Sequence, residues 1–153
     1  MSIEITRTID APPSAVFRAL TDAGELARWW TTGGHSDARS GGAFSYDFQF
    51  EDASRNHTYE GVYHDVTPDE RVSYPWYTSL GETTGDVRLR PADSGTELTL
   101  VHTGWGEGAE AEEAIAMHEP GWSFFLGNLK SYLEGGADLR VGGAMGQKTT
   151  ATV

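Results

Sequence analysis

Residues 43–50 alternate ring and polar side chains without a break: Phe44, Tyr46, Phe48 and Phe50 fall on one side of an extended chain, and Ser45, Asp47 and Gln49 on the other. Neighbouring strand side chains point to opposite faces, so this segment predicts a strand whose aromatic face must be covered. Similar half-buried alternation runs through 58–66, through 71–76 (Val72, Tyr74, Trp76), and through a hairpin pairing 85–90 with 96–102 across the Pro91-Ala92-Asp93-Ser94-Gly95 turn. Pro75 cannot donate to a ladder, so its strand is expected to end or bulge there.

Ahead of these strands, Ile3, Ile5 and Ile9 mark a short opening strand. Asp10-Ala11-Pro12-Pro13 starts a helix carrying Val16, Phe17 and Leu20, because proline is tolerated in a first turn where its missing N–H has no helical partner. Asp22 can cap a second short helix bearing Leu26, Trp29 and Trp30, of which one tryptophan is expected to pack and the other to face the loop or a pocket mouth. Residues 31–42 read as a polar loop. Residues 109–118 begin a helix with an acidic first turn that suits the helix dipole. Pro120 is expected to interrupt or kink it, and Trp122, Phe125, Leu126, Leu129 and Leu133 then keep a 3.6-residue period until Gly135-Gly136 stops it.

An antiparallel sheet with one apolar face needs a cover, and the one long amphipathic helix is the last. The chain therefore predicts an α+β domain over residues 1–136, its curved antiparallel sheet wrapped around a long C-terminal helix, with two short helices after the first strand. Residues 137–153, rich in glycine, alanine and threonine, are expected to form a flexible tail. At 153 residues the chain can bury a core without staples.

Composition narrows the function. The net charge of −12 repels phosphate backbones and anionic headgroups, which argues against nucleic-acid and membrane partners. With no cysteine there is no disulfide, thiolate site or cysteine nucleophile. No signal-peptide run and no membrane-length apolar run occur, so a cytoplasmic location is expected.

Four stretches carry a resemblance. Ala11-Pro12-Pro13-Ser14-Ala15-Val16-Phe17-Arg18-Ala19-Leu20-Thr21-Asp22 runs on to Leu26-Ala27-Arg28-Trp29-Trp30. Tyr59-Glu60-Gly61-Val62-Tyr63 precedes Pro68-Asp69-Glu70-Arg71-Val72. Gly95-Thr96-Glu97-Leu98-Thr99-Leu100 follows, and then Gly121-Trp122 with Asn128-Leu129-Lys130-Ser131-Tyr132-Leu133-Glu134. In this order they resemble the SRPBCC (START-like) superfamily, and more narrowly its branch of homologues of the heat-shock-protein-ninety ATPase activator. The resemblance implies the helix-grip fold and a cavity between sheet and last helix. It does not transfer chemistry, because one fold hosts many functions.

That cavity collects the candidate ligand-binding residues. Tyr46 and Phe48 come from the first aromatic strand, Tyr59 and Tyr63 from the next, and Tyr74 and Trp76 from the third. His102 and Trp105 end the hairpin, Trp30 follows the second helix, and His118, Trp122 and Phe125 lie on the last. Core packing is the favoured reading of each tryptophan, and a satisfied or rim position that of His102 and His118, with pocket walls and polar anchors as the alternatives. Gly121 and Gly127 signal close helix–sheet approach or room for a ligand.

His35, His57, His64, His102 and His118 show no HxH or HExxH spacing, so no metal is expected. No nucleophile elbow, phosphate loop or dinucleotide fingerprint appears, so no catalytic residue is assigned and no cofactor is expected. The leading expectation is a binder of a small apolar or aromatic molecule. An enzyme acting on such a ligand (cyclase, dehydratase or hydrolase) and a chaperone-interacting module are the alternatives, as are monomer and homodimer for its assembly.

Overall fold

The computed structural model describes residues 1–143 and Gly146. The chain runs β1 (Ile3–Ile9), α1 (Pro13–Thr21), α2 (Ala23–Leu26), β2 (Gly33–Ser36), β3 (Ala43–Phe48), a 3-10 turn (Ala53–Arg55), β4 (His57–Val62), β5 (Val66–Thr67), β6 (Arg71–Thr78), β7 (Gly81–Ala92), β8 (Gly95–Thr103) and α3 (Ala109–Leu133). All pairings are antiparallel: β1-β8-β7-β6-β5 form one sheet and β2-β3-β4 the other. They pack on α3, with α1 and α2 following β1, as an α+β helix-grip structure.

The inward faces follow the alternation. Phe44, Tyr46 and Phe48 of β3, Val72, Tyr74 and Trp76 of β6, Val87 and Leu89 of β7, and Leu98, Leu100 and His102 of β8 are buried. Against them α3 sets Trp122, Leu126 and Leu129. Apolar burial of this kind is what holds sheet to helix, at about 25 cal/mol per Å² removed from water.

Three local expectations give way. β6 runs through Pro75, which pairs with Thr84 in unbroken register. The Ser73 N–H points away from β7, to Asp65 O at 2.8 Å, so the nitrogen of Pro75, two residues on, faces the same side. β5 reaches only to Val72, so no ladder bond is lost there. The last helix is likewise continuous from Ala109 to Leu133 through Pro120, whose ring is exposed and displaces nothing from the core. Gly33–Ser36, expected as loop, forms β2 on the edge of β3, held by backbone pairing that requires no apolar alternation.

The segment after Gly136 is docked at its start, not loose. Arg140 is only 1% exposed: its Nη1 donates to Thr31 O (2.8 Å), and its Nη2 to Ala27 O (2.9 Å) and Asp138 Oδ2 (2.9 Å). Asn128 of α3 donates to Trp29 O (2.8 Å) and Asp138 Oδ1 (3.0 Å), and accepts from the Leu139 N–H. The backbone carbonyls left unpaired where α2 unwinds are what this cluster satisfies. Residues 144, 145 and 147–153 of the expected tail lie outside the described residues.

Candidate functional site

The mid-portion of α3 presents Met117, His118, Gly121, Trp122 and Phe125 along one helical stripe. Opposite stand Phe48 of β3, Phe50 just beyond it, His57 and Tyr59 of β4, Trp76 of β6, and Trp30 from the turn after α2, with Arg55 at the rim. Together they line a cavity of about 210 Å³ that opens to solvent.

Its walls are rings held by rings. Trp76 lies stacked between Tyr59 (centroids 4.0 Å apart) and Trp30 (5.4 Å), and Trp30 meets Trp122 at 5.5 Å and Phe48 edge-on at 5.6 Å. Such pairs prefer offset or edge arrangements and add stability beyond area burial, so the walls are set before any ligand arrives. Gly121 contributes space. A Cβ built on it would meet nothing within 4 Å, so this glycine marks room, not close approach, and the same holds for Gly127.

Of the twelve residues expected to bind ligand, the structure brings seven to the cavity: Trp30, Phe48, Tyr59, Trp76, His118, Trp122 and Phe125. The other five are used elsewhere. Tyr46, Tyr63 and Tyr74 fill the neighbouring end of the interior against Phe44. There the Tyr46 and Tyr63 hydroxyls bond one another, and Tyr63 bonds Ser36 Oγ at 2.7 Å. Burial pushes all three phenols above their ordinary range, so they stay protonated and act as packing and hydrogen-bonding groups.

His102 is the fourth. Trp122 Nε1–H donates to its Nδ1 at 2.9 Å, and an indole can only donate, so the imidazole proton sits on Nε2. That Nε2–H donates to Thr83 Oγ1 (2.6 Å), whose own hydrogen goes to Trp76 O (2.8 Å). Burial, and to a lesser degree the nearby His118, lowers the His102 pKa from 6.5 to about 4, which keeps this chain neutral and complete. Trp105 closes the cluster by donating Nε1–H to His102 O at 2.9 Å. His102 and Trp105 therefore tie α3 to the sheet and do not line the cavity.

Trp29 packs and Trp30 turns to the cavity, the division expected of this pair, and both are buried. Beyond the end of α2 the chain turns, so Trp29 reaches back to Ala19 O (Nε1–H, 2.9 Å) while Trp30 enters the cavity wall.

Phe50, Arg55, His57, Met117 and Gly121 line the cavity without having been singled out as ligand contacts. Phe50 shares the phase of Phe44, Tyr46 and Phe48, and Gly121 carries a helix-propensity cost; those were the available signals. Arg55 and His57 lie on a polar turn whose path nothing in the local pattern reveals. Their polar atoms point to a defined chemistry. His57 Nδ1 lies 2.9 Å from Arg55 O and His118 Nδ1 2.7 Å from Ala114 O. A carbonyl only accepts, so both rings carry the proton on Nδ1 and leave Nε2 for another partner. Among the described residues no group of three or more His, Cys, Asp or Glu has metal-binding proximity, and no helix is long and apolar enough to cross a membrane.

A family model described as Activator of Hsp90 ATPase homolog 1-like protein matches residues 10–134. Among solved structures, a Chromobacterium violaceum protein superposes with a TM-score of 0.71 at 28% identity, over 87% of this chain and 97% of that one. The AHSA1-like protein from Aeromonas hydrophila gives 0.72 at 27% identity, over 88% and 93%. The Aha1 dimer from Colwellia psychrerythraea gives 0.72 at 22% identity, over 88% and 96%, a likeness of fold alone. No curated protein matches the chain.

Proposed function

The chain belongs to the Activator of Hsp90 ATPase homolog 1-like family of the SRPBCC superfamily, and from that premise we propose that it binds a small aromatic molecule between the sheet and α3. The observation that carries this reading is the ring-walled cavity of about 210 Å³, with Gly121 leaving space on the helix side. A dry apolar cavity of roughly 150 Å³ is enough to take up benzene, so this one suits a ligand of one or two fused rings. The Trp122 and Phe125 rings of α3, set opposite a wall in which Tyr59 and Trp76 stack on each other, favour a planar guest. The superfamily's typical use is the binding of small ligands.

A magnitude check shows what else the site must supply. Burying about 300 Å² of apolar ligand surface is worth roughly 7 kcal/mol. Association costs at least about 4 kcal/mol. The difference corresponds to millimolar-grade affinity, so useful binding requires polar anchors as well. His118 and the residues at the rim are placed to provide them.

Titration of tryptophan fluorescence with naphthalene derivatives, indoles and, as a non-planar comparison, fatty acids tests the reading. Saturable quenching by the planar aromatics, abolished in Gly121→Leu, is expected; no response to any member of the panel would reject it.

A further inference from the structure

The charge of the cavity lining is opposite to that of the protein. The chain carries 23 acidic residues against 11 lysines and arginines, yet no Asp or Glu lines the cavity, whereas Arg55, His57 and His118 do. Arg55 lies with its guanidinium carbon 4.3 Å from the centroid of the Phe50 ring, another lining residue. Among the described residues it forms no ion pair, as is also true of Arg7 and Arg28, whereas Arg18, Arg39, Arg71, Arg88, Arg90 and Arg140 do. The nearest acid in sequence, Asp52, is bonded by the Ser54 N–H (3.1 Å) and hydroxyl (2.7 Å) and feels the Arg55 charge without pairing with it.

We propose that the cavity's ligand is an aromatic carboxylate, its ring in the space bounded by Tyr59, Trp122 and Phe125 and its carboxylate on Arg55. The proposal rests on the ring-binding reading above and adds the charge of the guest. A guanidinium offers two parallel N–H donors to a carboxylate, and stacking on Phe50 restricts where that fork points. Outside the cavity the surface charge repels anions, so discrimination arises at the rim and not from long-range attraction.

Calorimetric titration of the full chain with 2-naphthoate, 2-naphthamide and 2-naphthyltrimethylammonium separates the possibilities, since the three share a ring system and differ in charge. Naphthoate is expected to bind about tenfold or more tighter than the neutral amide, and the ammonium weakest. Arg55→Gln, an exposed substitution, should bring the ratio of naphthoate to amide affinity to about one. Equal affinity for naphthoate and naphthamide, or a preference that survives Arg55→Gln, overturns the carboxylate assignment while the cavity reading stands. Failure of all three to bind overturns both.

Discussion

Trp122 on α3 donates its indole N–H to Nδ1 of His102 on β8, 2.9 Å away, and so fixes which nitrogen of a buried imidazole carries the proton. Protonating that nitrogen would set two donors against each other. Native His102 resists protonation down to pH of about 4, whereas in the unfolded chain it takes up a proton near 6.5. The unfolded state therefore binds more protons between those values, and stability falls as pH falls from 6.5 to about 4, by roughly 3 kcal/mol from this residue. Urea unfolding of wild type and His102→Gln across that range should show the wild type losing the larger amount. Parallel pH dependences would contradict the assignment.

Arg140 and Asp138 should matter in a different pH window. Burial pushes the Asp138 carboxyl up, but hydrogen bonds from Arg140 and Asn128 outweigh it and hold the group below its ordinary 3.8. Its contribution is present above pH 3.8 and is lost only as pH falls further. Arg140→Met removes the guanidinium donors to Asp138 and to the carbonyls of Thr31 and Ala27, at a cost of about 3 kcal/mol in urea unfolding at neutral pH. Adding Asp138→Asn should cost less than the sum of the single changes, because the two residues act as one unit.

Thr31 holds the one buried side-chain oxygen without a hydrogen-bond partner among the described residues, Oγ1. Replacing an unsatisfied hydroxyl by a methyl of similar shape removes a desolvation cost. Thr31→Val is expected to leave stability unchanged or raise it by up to about 1 kcal/mol in thermal melts.

The glycines divide by surroundings. Gly121 and Gly127 sit in the interior of α3 with open space where a Cβ would go, so alanine at either should raise stability by about 0.5–1 kcal/mol. Gly61→Ala should do the reverse, because its Cβ would fall 2.7 Å from Phe44 and 3.1 Å from Pro75. Chemical denaturation of the three variants checks the ordering.

The architecture was legible because it rests on periodicity. The alternation of Phe44, Tyr46 and Phe48 and the helical spacing of Trp122, Leu126 and Leu129 each state which face is buried, whatever the chain does elsewhere. The site was legible only in part. Tyr46 and Tyr59 occupy equivalent inward phases on adjacent strands, and yet Tyr46 packs into the core while Tyr59 walls the cavity. Tyr59 stacks on Trp76 while Tyr46 bonds the Tyr63 hydroxyl, and the alternation does not encode which partner each ring meets. Arg55, His57 and the Arg140 cluster owe their places to tertiary geometry: a turn brought over the rim, and a strap docked on carbonyls more than a hundred residues away in sequence.

The measurement that bears most directly on the cavity is a titration of the five indole N–H signals with 2-naphthoate, followed by two-dimensional NMR. Trp30, Trp76 and Trp122 line the space, whereas Trp29 and Trp105 are bonded to Ala19 O and His102 O outside it. Saturable shifts at the first three, with the other two nearly still, are the expected result. Unmoved signals throughout, or equal shifts at all five, would show that no guest enters between the sheet and α3.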